Sequence, residues 1–109
     1  MSEQNYDLNE QQFNSFSEFY PFYLAEHSDK TCRRLHFIGS ALVLATTGYI
    51  LLTGSWALVA LLPIIGYGFA WVGHFVFEKN RPATFKYPLY SFMGDWVMFK
   101  DILTGKIAW

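Results

Sequence analysis

Cysteine is nearly absent: Cys32 stands alone, which excludes an intrachain disulfide and a cysteine cage for zinc. Charge is scarce as well. Only 16% of the 109 residues are Asp, Glu, Lys or Arg, the formal net charge is −1, and no block of like charge occurs. The footprint of a nucleic-acid binder is therefore missing. Residues 1–12 are polar and carry Glu3, Asp7 and Glu10 without a basic residue, so no cleavable signal peptide is expected. Two long stretches, Phe37 to Thr53 and Trp56 to Phe77, lack Asp, Glu, Lys and Arg altogether.

Apolar side chains fill the space that charge leaves. With 52% hydrophobic and 20% aromatic residues, the chain is greasier than an ordinary small soluble domain. Against the roughly 20 residues needed to cross a bilayer core, the first uncharged stretch is slightly short and the second sufficient. Thr53-Gly54-Ser55 between them is short and uncharged, which predicts an antiparallel hairpin. Gly39, Ser40, Thr46, Thr47 and Gly48 on one run, with Gly66, Gly68 and Gly73 on the other, are small enough to let the backbones approach. Pro63 is expected to kink the second helix. Lys30, Arg33 and Arg34 precede the hairpin, Lys79, Arg81 and Lys86 follow it, and its turn has no basic residue. The positive-inside rule then places both ends in the cytoplasm. Two buried core helices of a soluble bundle would be the competing explanation.

Weaker helical patterns flank the hairpin. Phe13, Phe16, Tyr20, Tyr23 and His27 recur at spacings of three and four, an aromatic stripe interrupted by Pro21, which either falls in the first turn of the helix or kinks it. Leu89, Phe92, Met93, Trp96, Phe99 and Leu103 form a second stripe after Pro88, with Gly105 as a C-terminal cap. The fold class predicted is all-α: a membrane hairpin of two transmembrane spans flanked by two amphipathic helices. A polar tail over residues 1–12 precedes this single domain, residues 13–109.

Candidate chemistry gathers at one end of the hairpin. His36 and His74 are equally far from Ser55, so antiparallel helices bring both imidazoles to the same height. An unbroken helix would turn His27 and His36 about 180° apart. A break at Ser28-Asp29-Lys30, with Ser28 or Asp29 capping the next helix, lets His27 fold back toward the other two. Glu78 lies four residues after His74, on the same helical face, and Asp95 sits in the last stripe. Three imidazoles with one or two carboxylates suit a non-haem iron or zinc site. A lone histidine at a membrane boundary is more often a packed or interfacial residue than a ligand, and only the convergence of three favours metal. Arg33, Arg34, Lys79 and Arg81 serve either as topology markers touching lipid phosphates or as partners of a substrate carboxylate.

The segments FYPFYLAEHSDKTCRRLHFIG, Phe19 to Gly39, and GHFVFEKNRPA, Gly73 to Ala83, resemble the two signature segments of the Mpo-like family of small membrane proteins. The resemblance runs from about Phe13 to Gly105. It implies an iron(II)-dependent 2-hydroxy fatty acid dioxygenase that shortens its substrate by one carbon through α-oxidation, using O₂. It also implies that His27, His36 and His74 hold iron, with Glu78, Lys79, Pro82 and Ala83 in the motif that follows. Two positions depart from the family: Ser28 stands where eukaryotic members can carry a second, adjacent histidine, and Asp29-Lys30 where Asn-Pro is common. Glu78 or Asp95 is then expected to complete the ligand shell, and Arg34 or Arg81 to pair with the substrate carboxylate. The localisation expected is a bacterial inner membrane or an endoplasmic reticulum, with membrane lipid as a partner and an oligomer allowed. The alternative function is a small membrane scaffold or lipid-binding protein whose histidines only pack.

Overall fold

The computed structural model describes residues 13–109; the polar tail assigned to residues 1–12 lies outside them. The described residues form four α-helices and no strand: α1 (Phe16–Ala25), α2 (Lys30–Thr53), α3 (Leu61–Val72) and α4 (Pro88–Leu103). A 3₁₀ turn, Trp56–Ala60, leads into α3, and a π-helical stretch, Gly73–Glu78, continues it.

Local sequence explains the boundaries. Ser15 caps α1, its side chain accepting from the Glu18 N–H. Pro21 lies inside α1, beyond the first turn and on the exposed side, where its missing N–H removes one helical bond. Asp29 caps α2 by accepting from the Cys32 N–H at 2.9 Å. This cap starts α2 seven residues before the uncharged run, giving 24 residues and about 36 Å of helix, more than a bilayer core needs. Gly54 ends α2 with φ 70°, a left-handed conformation that glycine adopts without a Cβ clash. Pro63 falls in the first turn of α3 after the 3₁₀ segment, so the interruption expected at this proline is taken up at the start of α3, where its missing N–H costs little.

The hairpin is apolar and turned outward. Only 17% of the most apolar window of Lys30–Thr53 and 6% of that of Trp56–Glu78 is buried, while Leu52 is 90% and Ile64 65% exposed. Core helices of a soluble bundle would hide these side chains. Both helices are long and apolar enough to cross a membrane.

Of the small residues in the hairpin, two glycines make the close approach. A Cβ on Gly39 would stand 2.8 Å from Phe69 Cβ, and one on Gly73 3.1 Å from Cys32 Sγ and 3.3 Å from its Cα; Gly48 and Gly68 face open space.

The buried core sits at the histidine end, where Phe19 and Tyr23 of α1 pack with Ala83 and with Met98 and Ile102 of α4. Tyr20 donates to Asp101 at 2.8 Å and ties α1 to α4. The inward face of α4 is Ser91, Gly94, Met98, Asp101 and Ile102, whereas Leu89, Phe92, Met93 and Leu103 are exposed. The apolar stripe read from α4 thus faces mostly outward, because periodicity shows which residues share a face but not whether that face meets protein or lipid.

Candidate metal centre

His27 follows α1, His36 lies on α2 and His74 on the π-helical stretch, and all three are buried. Their ring planes are close to mutually perpendicular, at 75–89°, with centroids 4.4, 4.5 and 4.8 Å apart. His27 Nε2 lies 3.2 Å from His36 Nε2 and 3.0 Å from His74 Nε2.

The opposite nitrogens fix the tautomers. His27 Nδ1 is 2.7 Å from the Tyr23 carbonyl, and His36 Nδ1 is 2.9 Å from the Cys32 carbonyl. A carbonyl only accepts, so both Nδ1 atoms carry the proton. His74 Nδ1 is 2.7 Å from Asn80 Oδ1. The Asn80 amide is oriented by its other end, whose Nδ2 donates to the Glu26 carbonyl at 3.0 Å. With each Nδ1 proton engaged, the Nε2 lone pair of His27 faces those of His36 and His74 across about 3 Å, and the three donor atoms lie within 4.8 Å of one another. Such lone pairs repel unless a cation sits between them. Burial, reinforced by His36 and His74, holds the His27 imidazole well below its usual pKa, so a proton is the weaker candidate. The three residues can hold a metal ion. Metal–imidazole bonds of about 2.1 Å put donors 90° apart about 3.0 Å from each other, against about 3.4 Å for a tetrahedral pair. The two His27 pairs, at 3.2 and 3.0 Å, fall in or near this range.

A frame of neighbours holds this arrangement. Tyr23 stacks on His27 with centroids 4.0 Å apart and donates its hydroxyl to Asp95 Oδ1. Burial raises the Asp95 carboxyl to about 6, the Tyr23 bond opposing the shift. Lys79 adopts φ 61°, a left-handed turn that costs a residue with a side chain about 1 kcal/mol. It reverses the chain so that the Asn80 N–H reaches the His74 carbonyl at 3.0 Å while Asn80 Oδ1 holds the imidazole. Sequence reading missed Asn80, because helical spacing cannot register a partner delivered by a left-handed residue. Replacing Asn80 with alanine should lower metal affinity about 10- to 100-fold, the usual cost of losing a residue that orients a ligand; competition with a chelator measures it.

The remaining predicted residues are dispersed. Asp95 lines the same cavity as the histidines, its Oδ1 accepting from the Tyr23 hydroxyl. Glu78 Oε2 accepts from Ser28 Oγ at 2.8 Å and Oε1 from the Asp29 N–H at 2.7 Å. Glu78 thereby clamps the loop that returns His27 and does not line the cavity. Arg34, two residues before His36, points about 200° away around α2; its guanidinium lies over the Trp109 ring and donates to the Trp109 carbonyl. Arg81 stands over Phe85, in a second hollow with Glu26.

Beside the histidines a cavity of about 390 Å³ opens between α3 and α4, with α2 contributing Ser40 and Val43. Its polar end has the three imidazoles, Ser91 and Asp95; its walls continue along Trp71, Tyr67, Gly66 and Leu62. From His74 to Leu62 the helical rise is about 18 Å. A polar head and an apolar groove of this size suit an amphiphile.

Residues 13–107 match a family model described as 2-hydroxy-palmitic acid dioxygenase Mpo1-like. Comparison with curated proteins and with solved structures returns no match.

Proposed function

The chain belongs to the Mpo1-like family, and from that premise we propose that it is an iron(II)-dependent dioxygenase performing α-oxidation of 2-hydroxy fatty acids. The observation that carries the reading is the convergence of three lone-pair nitrogens, with their Nδ1 protons engaged, at the polar head of an apolar groove. His27, His36 and His74 would hold the metal. Zinc has no redox chemistry, so consumption of O₂ selects iron, which supplies the chemistry that activates O₂ when bound.

In the overall reaction the bond between C1 and C2 breaks and C2 is oxidised from alcohol to carboxyl. C1 leaves as carbon dioxide, while O₂ is reduced and provides the oxygen that balances the acid and water formed. The protein's part is placement. The apolar walls take the acyl chain and exclude water from the head. Asp95, held by Tyr23 and facing the cavity, is available to accept the proton of the 2-hydroxyl.

In this reading the hairpin spans the membrane with both ends in the cytoplasm, supported by basic residues at the histidine end and none in the Thr53-Gly54-Ser55 turn. Arg34 and Arg81 do not line the cavity, and in this reading they would meet lipid headgroups rather than the substrate carboxylate.

Protein reconstituted with iron(II) should consume O₂ on addition of 2-hydroxypalmitate and yield the acid one carbon shorter. No consumption with stoichiometric iron demonstrably bound would sink the enzymatic reading.

A further inference from the structure

Helix α4 contributes two polar side chains to the cavity wall. Ser91 and Asp95 are one turn apart, about 6 Å along the axis, and both line the space beside the histidines. Ser91 is 3% exposed and its Oγ has no hydrogen-bond partner. A helical Ser or Thr hydroxyl that is shut off from water can bond the carbonyl four residues back. Thr47 does so to Val43 at 2.8 Å, and Thr53 to Tyr49 at 2.7 Å. Ser91 makes no such bond, although the Tyr87 carbonyl accepts its N–H at 2.9 Å. A buried hydroxyl in this state carries a desolvation cost that alanine would avoid, and the nearest place for a compensating partner is the cavity it lines.

We propose that Ser91 is a specificity-determining residue, its hydroxyl donating to the carboxylate of an acyl acid in the cavity while Asp95 accepts from the 2-hydroxyl of the same molecule. The ligand class rests on the dioxygenase reading; the pairing follows from hydrogen-bond chemistry. A substrate carboxylate only accepts and must meet a donor, whereas an ionised Asp95 only accepts and must meet a hydroxyl. The reverse pairing sets two carboxylates against each other. An acid without the 2-hydroxyl satisfies Ser91 but forgoes the second hydrogen bond to Asp95, whose Oδ1 already accepts from Tyr23, so the site distinguishes 2-hydroxy acids from unsubstituted ones.

Trp71 and Trp96 line the cavity, so their fluorescence reports occupancy. Iron(II)-loaded protein in nanodiscs, kept anaerobic, is titrated with 2-hydroxypalmitate and with palmitate. Wild type should bind the 2-hydroxy acid more tightly. Ser91→Ala should weaken binding of both acids about tenfold, as expected for losing a hydrogen bond to a charged group, and Ser91→Thr, which keeps the hydroxyl, should restore much of it. Bound iron should be unchanged and thermal stability equal or higher in Ser91→Ala, where a merely structural serine would lower it. Binding by Ser91→Ala within twofold of wild type, or no binding by wild type, overturns the assignment. Wild-type binding that is lost in Ser91→Ala upholds it even without turnover, in which case only the dioxygenase reading falls. Turnover with KM unchanged by Ser91→Ala removes the assignment and leaves that reading standing.

Discussion

His74→Ala should strip the protein of its transition metal and abolish O₂-dependent turnover, and His36→Ala and His27→Ala should do the same. Each imidazole is held from behind by a hydrogen bond that its Nδ1 donates, to the Tyr23 carbonyl, the Cys32 carbonyl or Asn80 Oδ1, so the donor set is organised before a metal arrives. Removing a ligand costs more than removing one of these supports, whose loss is worth about 10- to 100-fold in affinity. A fall of at least about 100-fold is therefore expected for each single variant. His27 should be no less sensitive than the hairpin pair, because its Nε2 lies within 3.2 Å of both other Nε2 atoms. Metal analysis after extraction in mild detergent, with circular dichroism to confirm helical content, provides the measurement. Retention of stoichiometric metal by both His36→Ala and His74→Ala would show that the histidines only pack, as the scaffold alternative holds.

Gly73→Leu should be nearly as damaging without touching a ligand. At Gly73 the π-helical stretch crosses the start of α2 so closely that a Cβ would meet Cys32 Sγ at 3.1 Å, Cα at 3.3 Å and the carbonyl oxygen at 3.4 Å. Two of these atoms are backbone, and the carbonyl is the one that holds His36 Nδ1. A leucine there wedges the two segments apart, moving His74 away from His36 and disturbing the His36 support together. Overpacking of this kind costs about 1–3 kcal/mol of stability, and metal affinity should fall at least about tenfold. Gly68→Leu is the control. A Cβ at Gly68 meets nothing within 4 Å, so both properties should stay as in the wild type. Equal behaviour of the two variants in chelator competition and thermal unfolding would mean that the crossing at Gly73 does not set the site.

The hairpin and the convergence of its histidines were legible because both follow from helical arithmetic. Two uncharged runs around a short turn dictate antiparallel helices, and equal distances of His36 and His74 from Ser55 dictate equal height. The break before α2 was legible from Asp29, since capping is a local property of a side chain and the N–H groups just after it. Glu78 sits differently from what its helical spacing implies. Its spacing from His74 assumes 3.6 residues per turn, but Gly73–Glu78 is π-helical, and both carboxylate oxygens are taken by the loop at Ser28 and Asp29. The second stripe hid the inward face of α4, because the residues buried there include Ser91, Gly94 and Asp101, which an apolar periodicity does not pick out. Gly94 faces the Tyr23 ring, 2.9 Å from where a Cβ would stand.

The sequence alone determined the helical class, the two apolar helices, the turn between them and the three imidazoles at one end, because periodicity, capping and charge distribution act along the chain and need no partner. Only the tertiary structure decided which nitrogens face inward, that Asn80 and backbone carbonyls hold them, that Arg34 and Arg81 lie off the cavity, and that Ser91 is left without a hydrogen bond. Those outcomes depend on side-chain orientation, on a left-handed turn and on packing between helices, none of which spacing along the chain specifies. A left-handed Lys79 delivers Asn80 to His74, and a glycine at residue 73 lets the π-helical stretch meet α2, displacements of a few ångströms that spacing along a sequence does not register.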